Sequence, residues 1–242
     1  AKEIIRMIEP GGILLGVDWD ESQVKQAGIN LKSKTVNPVR SLARDKVASP
    51  EDLGEATSNG IKVVIEKGNY KEIPDIQKKH NLPKADGLFL DAGFSSAHLE
   101  SGRGFTFQKD EPLDMRYDVD DNERKTAAEI IRSYSEGELR DIFWQYGEER
   151  QSRQIAKQIV EERKKRNIKT TRQLAEIIEK AKKGREKIHP ATRVFQALRI
   201  YVNDELGNLK SVLENIEEIM RPEGRVAVIS FHSLEDRIVK QA

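Results

Sequence analysis

Four short apolar runs punctuate the chain: Ile13–Val17, Lys62–Ile65, Gly87–Leu90 and Arg225–Ser230. Their hydrophobicity is continuous rather than alternating, and each closes on a small or polar residue. That pattern predicts strands of a parallel sheet covered on both faces, and the helical stretches between them predict an α/β fold. Lys2–Glu9 has the pattern of the last turns of a helix, stopped by Pro10-Gly11-Gly12. A chain that enters an α/β fold inside a helix implies a strand before it, so an N-terminal strand is expected to be missing. Residues 33–60 carry mixed charge, Pro38, Pro50 and little periodicity, and read as a long loop with one short helix, longer than usual for an α/β connection.

From Thr126 to Lys183 the period changes to that of helices. Ser135 with Glu138 and Thr170 with Gln173 have capping-box spacing. Ile155, Ile159 and Val160 form one apolar stripe, and Leu174, Ile177 and Ile178 another. No strand pattern interrupts the segment, which predicts an all-helical insert between the third and fourth runs. Pro190 suits the first position of a further helix, with Phe195, Leu198, Val202 and Leu206 on its apolar face. Gln196, Arg199 and Asn203 form a polar stripe on another face. Leu209–Met220 reads as one more helix, followed by the turn Arg221-Pro222-Glu223-Gly224 and the last strand.

With 242 residues the chain is long enough for one large domain or a core with an insert. No apolar run approaches the roughly 18 residues of a membrane span, and no secretory signal is visible, so a cytoplasmic location is the default. The absence of Cys excludes disulfides, thiolate zinc, iron–sulfur clusters and a cysteine nucleophile. It also excludes a base deaminase with cysteine zinc ligands, and no metal is expected. The net charge of +1 hides an uneven distribution: Arg150–Lys187 holds 14 Lys and Arg against 5 acidic residues, while Asp110–Glu123 is acidic. A basic patch fits a polyanion partner, although charge alone reads as well as a solvated helix face.

Ligands of open α/β sheets bind beyond the carboxyl ends of the strands. Asp18 follows the first run, where a carboxylate accepts from a ribose diol or caps the next helix, a role Asp20 could supply equally well. Gly68-Asn69-Tyr70 follows the second, placing an aromatic for stacking or packing. Asp91-Ala92-Gly93-Phe94-Ser95-Ser96 follows the third, with the composition of a catalytic loop or of an Asx turn with Ser caps. Phe231-His232-Ser233-Leu234-Glu235-Asp236-Arg237 follows the fourth, with His232 either functional or structural beside a helix start. Four polar strand ends together point to a site without choosing its cofactor.

Longer strings do choose. Asp86-Gly87 to Ser96, Arg103-Gly104-Phe105-Thr106-Phe107, Pro112-Leu113-Asp114-Met115-Arg116, Tyr146-Gly147-Glu148-Glu149-Arg150, His189-Pro190 to Ile200, Val202-Asn203-Asp204-Glu205-Leu206 and Ile229 to Lys240 occur in order along nearly the whole chain. They resemble the small-subunit ribosomal RNA cytosine-N4 methyltransferase family, known as MraW or RsmH. The resemblance implies a class I S-adenosylmethionine-dependent, Rossmann-like core, residues 1–105 and 201–242, around a helical insert, residues 106–200. It implies methyl transfer to the exocyclic N4 of cytidine 1402 in 16S rRNA within the small ribosomal subunit. Asp18, Tyr70 and Asp91 match cofactor-contacting positions, and His98 stands where the family usually has Gln, in Ser95-Ser96-Ala97-His98. The family's Gly-rich loop has no counterpart, and residues 33–60 look inserted.

The chemistry so implied needs acceptors for the N4 hydrogens, in-line placement against the sulfonium methyl, and an unstacked base. Asp91, Ser95 and Ser96 are assigned to N4 and cofactor positioning. His232 is assigned as a proton relay or, equally, a structural residue. Phe94 and Phe231 are candidate stacking walls. Arg116, Arg193 and Arg199 are candidates for phosphate or base contacts, the alternative for each being an intrachain ion pair with Asp114 or Glu205. Two competing readings stand beside this one: a nicotinamide-dependent oxidoreductase, on Asp18 alone, and a non-catalytic RNA-binding fragment.

Overall fold

The computed structural model describes residues 2–35, 55–58, 60–184 and 187–242. By packing these fall into two units, Ala1–Gly87 with Glu214–Arg225, and Leu88–Leu213 with Val226–Ala242. In chain order the elements are α1 (Lys2–Met7), β1 (Ile13–Asp18), α2 (Glu21–Thr35), β2 (Glu55–Ser58), β3 (Ile61–Lys67), α3 (Ile73–Lys79), β4 (Ala85–Asp91), α4 (Ser96–Glu100), α5 (Ala127–Ser133), α6 (Glu136–Gly147), α7 (Ser152–Arg163), α8 (Thr171–Ala181), α9 (Thr192–Asn203), α10 (Glu205–Glu214), α11 (Ile216–Ile219), β5 (Met220–Ile229) and α12 (Ser233–Gln241).

In the first unit β1 and β3 pair in parallel, Ile13 opposite Lys62 and Asp18 opposite Lys67. Ile61 and Val63 are buried under Ile5, Ile8, Leu14 and Ile65. The turn into β1 needs Gly12, because a Cβ there would lie 2.5 Å from the Ile8 carbonyl oxygen. Against expectation β2 pairs with β3 in antiparallel fashion, Ser58 opposite Ile61, and Gly60 adopts φ +78° in the tight connection. The stretch read as a loop over 33–60 therefore begins in α2 and ends in a strand. Residues 36–54 of that stretch lie outside the described part. α3 is fastened to α11 by Gln77, whose Nε2 donates to the Ile219 carbonyl at 3.2 Å.

β4 and β5 form a second, two-stranded sheet. Ala92 donates its N–H to the Ile229 carbonyl at 3.1 Å, and Gly87 lies against the Arg225 carbonyl, so the strands run in the same direction. The runs expected to be buried here are largely exposed: Phe89, Val226 and Ile229 all reach solvent. β5 is also longer than the sequence suggests. It starts at Met220, absorbing the expected turn at 221–224, with Glu223 at φ +66°.

Every named element between β4 and β5 is a helix. The capping boxes at Ser135–Glu138 and Thr170–Gln173 form, and Thr126–Glu129 adds a third. α6 and α9 bury Leu139, Ile142 and Phe143 with Val194, Ala197 and Leu198. They approach closely at Gly147, where a Cβ would lie 2.5 Å from the Arg193 carbonyl oxygen. α9 is shorter than its apolar pattern predicts: it begins at Thr192 rather than Pro190 and stops at Asn203. Asp204 turns left-handed (φ 50°), and its carboxylate crowds Gly207, so Leu206 belongs to α10. The expected helix 209–220 is likewise broken, between α10 and α11. Among the described residues no helix is long and apolar enough to cross a membrane.

Candidate cofactor and substrate sites

In the first unit the end of β1 carries two carboxylates with different tasks. Asp20 is buried and accepts the Ser22 N–H at 2.9 Å, capping α2. Asp18 accepts the Asp20 N–H at 2.8 Å and keeps a solvent-facing surface. Its pKa lies above the ordinary carboxylate value: loss of solvation around the carboxylate is the largest cause, repulsion from Asp20 adds to it, and the Asp20 N–H opposes it.

Gly68 donates its N–H to the Asp18 carbonyl at 3.0 Å, so the turn after β3 lies beside Asp18. Asn69 in that turn is buried. Its Oδ1 accepts the Lys71 N–H at 3.1 Å, while its Nδ2 is buried with no hydrogen-bond partner. Tyr70 is half-buried at the start of a single 3-10 turn. A carboxylate, an unpartnered buried amide and an aromatic ring at neighbouring strand ends are the donor, acceptor and stacking groups that a nucleoside requires.

The second unit holds the other expected residues. Asp91 ends β4 and is exposed. Ser95 caps α4; His98 Nδ1 accepts its N–H at 3.0 Å. The side chain of Ser96 lies outside the described part. His98 is buried, 5.3 Å from Phe105 and 4.8 Å from Tyr117 between ring centroids. Phe94 continues the row, stacked on Phe105 at 6.3 Å.

Arg199 caps the Phe94 ring, its guanidinium carbon 4.4 Å from the centroid. The guanidinium is buried and doubly bonded to Glu205, Nε to Oε1 and Nη2 to Oε2, both at 2.9 Å. Tyr117 donates its hydroxyl to the same Glu205 Oε1 at 3.0 Å. Asn203 accepts the Tyr117 N–H at 2.8 Å and donates to the Met115 carbonyl at 2.7 Å, fixing a loop in which buried Met115 has φ +65°. Arg116 forks onto Asp114 at 2.8 and 3.0 Å. Arg116 and Arg199 thus occupy the intrachain ion pairs named as the alternatives to phosphate contact. Arg193, in the first turn of α9, is half-exposed, and its charge helps hold the Glu148 carboxylate below its ordinary pKa.

Beyond β5 the Phe231 ring is 66% exposed and lies against Gly93, where a Cβ would come within 3.0 Å of Cδ2. Glu235, 2% exposed, accepts the Phe231 N–H at 2.7 Å. Its pKa lies below the ordinary value: burial pushes it up, and His232, the Phe231 amide and Arg199 outweigh burial. His232 caps α12, Nδ1 accepting the Glu235 N–H at 3.4 Å. Nε2 is buried 3.2 Å from Glu235 Oε1. Glu205, His232 and Glu235 bring ligand-type atoms within 4.8 Å of one another.

The family model described as the MraW methylase family matches residues 1–242. The chain belongs to the MraW methylase family. Curated relatives carry the name Ribosomal RNA small subunit methyltransferase H. One, from Syntrophotalea carbinolica, is 42% identical over 100% of this chain and 69% of its own length. Another, from Dictyoglomus turgidum, is 40% identical over 99% of this chain and 72% of its own. A third, from Coprothermobacter proteolyticus, is 48% identical over 78% of this chain and 63% of its own. In this MraW methylase sequence reasoning met Glu205 only as an ion-pair partner, Asn203 only in a polar stripe and Glu235 only at a helix start, and it gave Tyr117 no role. Glu205 and Asn203 lie in the Val202–Leu206 string and Glu235 in the Ile229–Lys240 string, so the family motifs contain them. Only their burial shows that they act on other side chains.

Proposed function

We propose that the protein transfers a methyl group from S-adenosylmethionine to the exocyclic N4 of a cytidine, position 1402, in 16S rRNA of the small ribosomal subunit. The observation that carries this reading is the family match along residues 1–242, with relatives named as small-subunit rRNA methyltransferases. The donor set at Asp18, Asn69 and Tyr70 supports a nucleoside-containing cofactor. When bound, S-adenosylmethionine supplies an electrophilic methyl group.

The chain's own residues do the rest. Asp18 accepts the ribose hydroxyls and Tyr70 stacks on the adenine. Asp91 and His98 keep the cofactor assignment implied by the resemblance, His98 acting in part by holding Ser95. The N4 lone pair of cytosine is delocalised into the ring, so the nitrogen reacts only when its hydrogens meet acceptors and the base is held flat. The exposed Asp91 carboxylate and the Ser95 and Ser96 hydroxyls are the acceptors nearest in sequence to Phe94. Phe94 and Phe231 supply aromatic surface for an unstacked base. Arg116 and Arg199 shape the site through their ion pairs, which leaves Arg193 and the basic segment Arg150–Lys187 to meet phosphate.

The test is incubation of undermethylated small subunits with labelled S-adenosylmethionine, followed by nucleoside mass spectrometry. N4-methylcytidine supports the reading; subunit binding without methylation moves the weight to an RNA-binding role. Arg193→Ala is expected to weaken subunit binding and to lower the slope of log affinity against log salt by about one. A filter-binding series in salt measures this, and an unchanged slope removes Arg193 from the interface.

A further inference from the structure

We propose that Glu205 and Glu235, two buried carboxylates, are positioning residues for the methyl transfer: each fixes one of the aromatic rings beside the Gly93 turn. The inference rests on the reading of Phe94 and Phe231 as base-stacking surface. Phe231 is an exposed ring at a strand end, and nothing in its own side chain fixes it. Its backbone is tied at the amide, where the N–H donates to Glu235 at 2.7 Å. Glu235 is itself set by its place in the first turn of α12, capped by His232. With the backbone fixed, the ring packs on Gly93 (φ +97°), where an added Cβ would lie 3.0 Å from Phe231 Cδ2 and push the ring.

Phe94 is set by a different chain of contacts. Glu205 forks onto the Nε–Nη2 edge of the Arg199 guanidinium, whose carbon lies 4.4 Å from the centroid of the Phe94 ring. A fork held by two bonds presents its face in one orientation, which a single lysine ammonium would not do. Tyr117, bonded to Glu205 through its hydroxyl, stacks on Phe105 at 5.6 Å, and Phe105 stacks on Phe94. Glu205 therefore reaches Phe94 by two routes, the guanidinium and the aromatic row. Neither carboxylate is solvent-exposed, so neither is placed to touch substrate.

Fluorine NMR of protein carrying fluorophenylalanine reads ring position directly, with Phe94→Leu and Phe231→Leu assigning the two resonances. Glu235→Ala is expected to shift or broaden the Phe231 resonance and to raise the KM for undermethylated small subunits about 10–100-fold, with a kcat change of less than about threefold. Glu235→Gln, which keeps an acceptor for the Phe231 amide, is expected to restore most of both. Glu205→Gln is expected to move the Phe94 resonance in the same manner. If Glu235→Ala does not fold, Glu235→Asp withdraws the carboxylate by one methylene and carries the same test. Resonances that stay in place while KM rises, or kcat and KM falling together, overturn the positioning role. Wild-type protein that transfers no methyl overturns the proposed activity instead, and the fluorine spectra still decide the ring placement.

Discussion

Glu205→Ala is expected to destabilise the second unit by about 3–5 kcal/mol, read from the urea midpoint followed by far-ultraviolet circular dichroism. The magnitude follows from what remains, not from what is removed. Arg199 is buried at 8% exposure, and its Nε–Nη2 edge is forked onto Glu205. Without the carboxylate a full positive charge stays in the interior with only the Phe94 face and Glu235 to stabilise it, and the Tyr117 hydroxyl loses its acceptor. Burying an unpaired charge costs far more than losing an exposed pair such as Arg237–Glu148, worth roughly 0–1 kcal/mol. The double variant Arg199→Met with Glu205→Leu is expected to recover most of the loss, because replacing both members of a buried pair by apolar groups is often near neutral. A loss below about 1 kcal/mol in Glu205→Ala would mean that the pair is open to water.

The positions that were legible in the sequence share a property: their signal is local. The strands β1, β3, β4 and β5 and the helices from α5 to α8 follow from hydrophobic pattern, and two of the helix caps from spacing alone. The hairpin from β2 to β3 was also written locally, in Asn59-Gly60 ahead of Ile61, but the charged, irregular stretch before it hid a four-residue strand. The ends of α9 were not legible, because the apolar pattern runs on through Leu206 while the backbone turns at Asp204. The left-handed backbone at Asp204 marks the break.

The candidate site divides in the same way. Asp18, Tyr70, Asp91 and Phe231 were singled out because strand ends are where α/β sheets bind ligands. The fate of Arg116, Arg199 and His232 was undecidable in one dimension, since a guanidinium reads the same whether it meets a phosphate or an internal carboxylate. Three-dimensional pairing commits the two arginines to Asp114 and Glu205, and His232 stands at the N-cap of α12. Arg193 differs from both: it is half-exposed, and its charge acts on the Glu148 carboxylate.

Asp18→Asn is expected to weaken S-adenosylmethionine binding about 10–100-fold by calorimetry. One charge-assisted hydrogen bond is worth about 1.5–3 kcal/mol, and each 1.4 kcal/mol is tenfold. The pH dependence gives a sharper signature. The ionised carboxylate is the form that accepts the ribose hydroxyls, so affinity is full above the Asp18 pKa and falls as pH drops through it. Burial and the Asp20 carboxylate hold that pKa above the ordinary value, so the fall begins at a higher pH than for a free carboxylate, near 3.9. Asp18→Asn removes the dependence. Asp20→Asn keeps a competent cap for α2 and removes the repulsion, which moves the fall to lower pH without abolishing it. Wild-type affinity in Asp18→Asn, or a pH profile untouched by either substitution, would place the nucleoside elsewhere than the end of β1.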